Sequence, residues 1–151
     1  MSIPHSEHLN PTAPQPASGI LSFAGLRLRK HADYQRAYAA SRKRQSPSMS
    51  WFLAPQPEPA GTPRVGLTAG KVLGKAHERN RIKRRMRDAI RRHIDLLPAG
   101  FDLILHPRRS VLTLEFTKLE AEIVRILGQA RAEAARTTLR APAPSAQGQT
   151  A

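Results

Sequence analysis

The sequence predicts an α+β domain: a small, mostly antiparallel sheet packed with helices, in the order α-β-β(-β)-α-β-α. Three observations predict it. Between residues 26 and 136 the hydrophobic spacing switches repeatedly between the helical period and the period of two expected of strands. The strand-like runs are short and bounded by Pro and Gly. A longer amphipathic segment lies between two of those runs, as a helix crossing a sheet would. With 151 residues, 40% of them hydrophobic, the chain can build one domain with a modest core. No internal repeat is present.

In order along the chain, residues 1–25 hold Pro4, Pro11, Pro14 and Pro16 among Ser, Thr, Ala and Gln. That composition cannot bury a core, and a disordered tail is expected. Asp33 to Ala40 sets Tyr34, Ala37 and Tyr38 on one face of a short helix. Ser48 to Ala54 reads as a strand with Met49, Trp51 and Leu53 on one side. Pro55 to Pro63, with four prolines and Gly61, is a loop. Arg64 to Ala69 alternates, Val65, Leu67 and Ala69 inward, and predicts a strand with one polar face. A basic helix follows Gly74 and runs to about Ile94, and Pro98-Ala99-Gly100 ends that segment. Phe101 to His106 is another strand. From Thr113 or Thr117 to about Arg136, Phe116, Leu119, Ile123, Ile126, Leu127 and Ala130 recur at helical spacing, and Thr117 with Glu120 matches a capping box. Residues 137–151, with Pro142, Pro144 and Gly148, read as a second disordered tail, which leaves 26–136 as the domain.

The charge is lopsided. There are 25 Lys and Arg against 11 Asp and Glu, a formal +14, and setting His aside only Glu7 and Arg140 are charged outside 26–136. Such a field draws polyanions to the domain. Arg outnumbers Lys by 19 to 6, which favours phosphate forks and base stacking over a lipid surface. No Cys is present, which excludes a disulfide framework, a thiolate nucleophile and a Cys-based zinc site. No Lys or Arg precedes Arg27 to form a signal-peptide n-region, and no apolar run reaches membrane-spanning length. A cytoplasmic protein without a membrane partner is expected.

Between Lys75 and Arg92 stand nine basic residues and two acidic ones. On a helical wheel Ile82, Met86, Ala89, Ile90 and His93 form a narrow apolar arc. Asn80, Arg84, Arg87 and Arg91 make one outward stripe, and Arg81, Arg85 and Arg92 another. Like charges meet at i, i+4 in Arg81 with Arg85, Lys83 with Arg87, and Arg87 with Arg91, each costing roughly 0.2 to 0.5 kcal/mol in an isolated helix. Bound phosphate would relieve them, and Lys71, Lys75 and Arg85 extend the basic surface. The arc lacks Trp, Phe or Leu until Leu96, which argues against lipid.

The strand Arg64-Val65-Gly66-Leu67-Thr68, the turn Lys71-Val72-Leu73-Gly74-Lys75-Ala76 and the helix Arg79-Asn80-Arg81-Ile82-Lys83-Arg84 with Arg87-Asp88 resemble the protein subunit of bacterial ribonuclease P. The likeness starts at Leu26-Arg27-Leu28, passes through Asp33-Tyr34, and covers roughly 110 residues. It implies a ribonuclease P protein-like fold, of the ribosomal-protein-S5-domain-2-like type. It also implies the auxiliary subunit of a ribonucleoprotein endoribonuclease, a hydrolase that removes the 5′ leader of precursor tRNA to form the mature 5′ end. Its partners would be the catalytic RNA and precursor tRNA, with no obligate protein partner. The catalytic RNA would mainly hold the Mg²⁺, and the protein would broaden the substrate range and assist cleavage without binding metal directly. By the resemblance, Arg79, Asn80, Arg81, Lys83, Arg84 and Arg87 contact RNA or organise local metal binding. Tyr34, Tyr38, Arg64, Thr68 and either Phe52 or Trp51 would line a leader cleft between the first helix and the sheet. Three departures stand out. Gly70-Lys71 replaces paired lysines, Asp88 stands where Glu is usual, and Ala54-Pro55 ends the first strand early.

A catalytic role for the protein itself is not expected. Of His5, His8, His31, His77, His93 and His106, two lie in the tail and His93 points to the apolar arc. His77 and Glu78, adjacent on a helix, diverge. No His pair within the domain has metal-ligand spacing. A structural RNA-binding protein of the ribosomal kind is the alternative with the same size and charge.

Overall fold

The computed structural model describes residues 23–57 and 61–140. Three helices, α1 (His31–Ala39), α2 (Ala76–Arg91) and α3 (Phe116–Arg140), pack on four strands, β1 (Arg44–Ser46), β2 (Met49–Pro55), β3 (Arg64–Leu67) and β4 (Phe101–Pro107). The sheet order is β1-β2-β4-β3, antiparallel except for the parallel pair β3 and β4. The expected order is present, with β1 filling the optional strand. The remaining tail residues, 1–22 and 141–151, lie outside the described residues.

Alternation along the strands divides the molecule into two packing layers. Met49, Trp51, Leu53, Val65, Leu103 and Leu105 point to one face, where Ile82, Met86, Ala89 and Ile90 of α2 and Leu119, Ile123, Ile126 and Leu127 of α3 complete the main core. Phe52, Ala54 and Ile104 point to the other face, where Leu28, Tyr34, Ala37 and Tyr38 cover them in a much smaller cluster. The polar face read for β3 is therefore covered. Gly66 lies beneath Tyr34, and a Cβ there would stand 2.6 Å from the Tyr34 hydroxyl. Glycine lets the ring rest on bare backbone.

Several boundaries differ from the sequence expectation. The domain begins earlier than residue 26, because Phe23 is buried in the main core. It extends beyond 136, because α3 continues to Arg140. The capping box of Thr117 with Glu120 is not formed. The helix already includes Thr117, the Glu115 carbonyl accepts from the Lys118 and Leu119 N–H groups, and Glu120 turns instead to His93. The second helix stops at Arg91, and a 3-10 turn at Ile94–Leu96 follows. His93 thus leaves the apolar arc for a partly exposed position against Glu120, at 2.8 Å. Buried Glu122 ties the hairpin to α3, accepting from the Ser48 N–H at 2.8 Å and from the Ser46 hydroxyl. No described helix is long and apolar enough to cross a membrane.

The apolar seam of α2 is what buries that helix against the core, since Ile82, Met86, Ala89 and Ile90 are its buried residues. Replacing the fully buried Ile90 by Ala should destabilise the fold by about 2–5 kcal/mol. Urea unfolding checks this as a lower midpoint at unchanged slope.

Candidate nucleic-acid interface

The side of α2 opposite its seam presents Asn80, Arg81, Arg84 and Arg91 to solvent, with Arg79, Lys83 and Arg87 half-exposed at its flanks. Lys71 and Lys75, in the turn before it, are exposed as well. Most acids among the described residues are committed to other cations: Asp33 to Arg36 and Arg64, Glu78 to Arg109, Asp88 to Arg91, Asp102 to Arg64, Glu120 to Arg92 and His93, and Glu133 to Arg44. Among the described residues, none of Lys71, Lys75, Arg79, Arg81, Lys83, Arg84 and Arg87 forms an ion pair. Their charge is available to an external polyanion.

The second outward stripe is split, which corrects the sequence reading. Arg81 faces solvent, but Arg85 donates to the Leu114 carbonyl, and its guanidinium lies 6.0 Å from the Phe116 ring. Arg92 sits 4.9 Å over the same ring, with Glu120 at 3.8 Å. The start of α3 docks beside the end of α2, a tertiary neighbour that no helical wheel contains. Arg91 keeps its exposure but is paired with Asp88 on its own helix.

On the α1 side of the sheet an aromatic group stands at the surface. The Tyr38 ring meets Phe52 edge-on at 4.9 Å, His106 lies 5.7 Å from Tyr38 and 5.3 Å from Phe52, and Tyr34 lies 6.3 Å from Tyr38. The Tyr34 hydroxyl donates to the Leu28 carbonyl at 3.2 Å, and Tyr38 shares a hydrogen bond of 2.8 Å with His106 Nε2. Burial raises the pKa of both tyrosines, so they remain phenols. Burial, reinforced by Lys43, holds His106 below the usual 6.5 and keeps it neutral. Cations rim the group at both ends. Arg27, Lys83 and Arg87 join Tyr34 around a cavity of about 80 Å³. Arg108 joins Ser50, Thr68, Val72 and His106 around a groove of about 420 Å³, and Arg109 at its edge is turned to Glu78 and the Leu73 carbonyl.

Residues 24–131 match the family described as Ribonuclease P. This chain belongs to the ribonuclease P protein family. A ribonuclease P protein component from Chloroflexus aggregans is 36% identical over 105 residues, covering 69% of this chain and 76% of that one. That from Thermobifida fusca is 32% identical, covering 64% and 70%. In fold, the chain is similar to a Staphylococcus aureus RNase P protein mutant with defective mRNA degradation activity (TM-score 0.64, 22% identity, 77% of this chain and 97% of that one). It is also similar to the Thermotoga maritima RNase P protein (TM-score 0.60, 23% identity, 68% and 96%). Family membership selects the protein component of ribonuclease P, a ribonucleoprotein nuclease of tRNA processing, over the ribosomal alternative, and implies an RNA partner.

For a ribonuclease P protein, the residues singled out in the sequence divide into three sets. Asn80, Arg81, Arg84, Lys71 and Lys75 stand free on one surface, with Arg79, Lys83 and Arg87 beside them. Tyr34, Tyr38 and Phe52 come together on the α1 side, and Thr68 borders the groove beside them. Trp51 does not join them. It points through the sheet into the main core, 1% exposed, because odd positions of β2 face α2 and α3, and Arg44 stacks on it at 5.2 Å. Arg64 lines the far end but is occupied, with a two-pronged pair to Asp102 at 2.8 and 2.9 Å and a contact to Asp33 at 3.2 Å. It fastens α1 to the sheet. The sequence reading missed His106, although period two from Ile104 puts it on the Phe52 face, paired with Ser50.

Because His106 is held neutral in the fold, the unfolded chain binds the extra proton first. Stability should therefore fall as pH drops below about 6.5 and level off once His106 protonates in the folded protein. Denaturant midpoints measured across this range should show a smaller decline in His106→Asn than in the parent.

Proposed function

We propose that this protein holds the catalytic RNA of ribonuclease P with the free cations of α2 and takes the 5′ leader of precursor tRNA across Tyr34, Tyr38, Phe52 and His106. The observation that carries the reading is the adjacency of two unlike surfaces. One is a helix face with seven unpaired cations, counting the turn before it; the other is a partly open aromatic cleft at its side. Cations along a groove follow a backbone without regard to sequence, and exposed rings stack on single-stranded bases. Together they suit a leader whose sequence varies from one tRNA to the next.

Cleavage itself is assigned to the RNA and its Mg²⁺. Among the described residues no three His, Asp or Glu side chains gather as metal ligands, and the domain's carboxylates are mostly committed to arginines or, for Glu122, to the hairpin. The described residues therefore offer no donor set for a resident metal. Its contribution is charge: seven cations beside the RNA reduce the repulsion between leader and catalytic core that Mg²⁺ would otherwise have to screen.

Reconstitution with the catalytic RNA of the same source tests the reading. The protein alone should cleave nothing, yet at low Mg²⁺ it should raise cleavage of one precursor tRNA by that RNA; no stimulation would sink the proposal. The surfaces separate by variant. Arg84→Ala or Arg87→Ala should lower the slope of log K against log salt by about 0.7 to 0.9 per lost phosphate contact. Phe52→Ala should weaken binding of leader-bearing precursor by about 1–3 kcal/mol while leaving leaderless tRNA unaffected.

A further inference from the structure

The first turn of α2 has no apolar anchor of its own. Its first buried side chain is Ile82, so Arg79, Asn80 and Arg81 lie upstream of every core contact the helix makes. They also sit in a dense positive field that opposes helix formation. Something outside the core must hold this turn.

What holds it comes from the far side of the chain. Glu78 accepts the Lys75 backbone N–H at 2.9 Å, closing the turn from within. The same carboxylate is gripped by both prongs of the Arg109 guanidinium, at 3.1 and 2.9 Å. Arg109, in the segment after β4, also donates to the Leu73 carbonyl at 2.7 Å. Gly74, with φ at +127°, lies directly beneath, and a Cβ there would run into both Glu78 and Arg109. A left-handed backbone and the absence of a side chain are both required at that position.

Glu78 is an odd residue for a phosphate-binding face, since an acid there repels the ligand. Arg109 and the Lys75 N–H hold its pKa down to about 2, so it stays ionised at any working pH. Half of the Arg109 side chain is exposed, so the pair adds little to global stability. Its value lies in geometry.

We propose that Glu78 and Arg109 are a positioning pair: neither touches RNA, and together they fix the first turn of α2 so that Arg79, Asn80 and Arg81 meet the RNA in one pose. This rests on the reading of α2 as the RNA-binding helix. Plain electrostatics makes the opposite forecast, in which removing the acid tightens RNA binding and Arg109 is a phosphate ligand held in reserve.

Full-length Glu78→Gln, Arg109→Ala and the double variant decide between them. In the free protein, amide hydrogen exchange at Arg79, Asn80 and Arg81 should quicken in each single variant, with no further gain in the double and no change at Ile90. Affinity for the cognate catalytic RNA should fall about threefold to tenfold in either single variant, again without further loss in the double. The salt slope should stay at the parent value, because no phosphate contact is removed. Tighter binding by Glu78→Gln overturns the proposal, as does a slope lowered by about 0.7 to 0.9 in Arg109→Ala. Unchanged exchange or unchanged affinity in both single variants overturns it as well. If the parent protein fails to bind the RNA, the proposed function fails, and the exchange measurement alone then decides the pairing.

Discussion

Strands β3 and β4 run parallel and side by side, and parallel neighbours cannot be joined by a tight turn. The chain between them must cross over a face of the sheet, and the crossover here is α2. That requirement puts the helix on the sheet with its seam of Ile82, Met86, Ala89 and Ile90 inward, and its cations have nowhere to go but out. Central β4, buried on both sides along Phe101 to Leu105, then serves as the common floor for α2 and α3 above and α1 below. The basic face and the aromatic cleft are therefore two outcomes of one pairing.

Charge is sorted as deliberately as hydrophobicity. Arginines that must stay put, such as Arg44, Arg64 and Arg109, are each given a carboxylate; among the described residues Arg79, Arg81, Arg84 and Arg87 of α2 have none. With so few acids, most of those among the described residues have a structural use, and the surplus positive charge gathers where the fold needs it least. Exposed pairs of this kind contribute little energy individually. Their effect is to decide which guanidinium groups remain free.

Much of this was legible in the sequence where one physical signal dominated. The seam of α2 follows from helical spacing alone, and the facing of Met49, Trp51 and Leu53 from the period of two. Once the odd positions of β2 are core, Trp51 is excluded from the cleft and Phe52 admitted; what the strand pattern lacked was which face α1 would cover. Arg85 and His93 were misjudged, and the pairing of Arg64 missed, for a shared reason. Their partners, Phe116 with Leu114, Asp102 with Asp33, and Glu120, are distant in the chain, and local periodicity carries no information about them. The extra turn of α3 past Arg136 was hidden by a run of Thr residues with poor helical preference.

The two walls of the aromatic cleft differ in how firmly they are built. One is the sheet, continuous with the main core. The other is α1, nine residues long, resting through Tyr34, Ala37 and Tyr38 on Leu28, Phe52, Ala54 and Ile104 and secured at its ends by Arg64 on one side and the Tyr38–His106 bond on the other. Segments with so little apolar contact open at lower free energy than the body they rest on. A rigid floor with a compliant wall lets the groove widen without disturbing the main core, so any give in the cleft falls on α1 and not on the sheet.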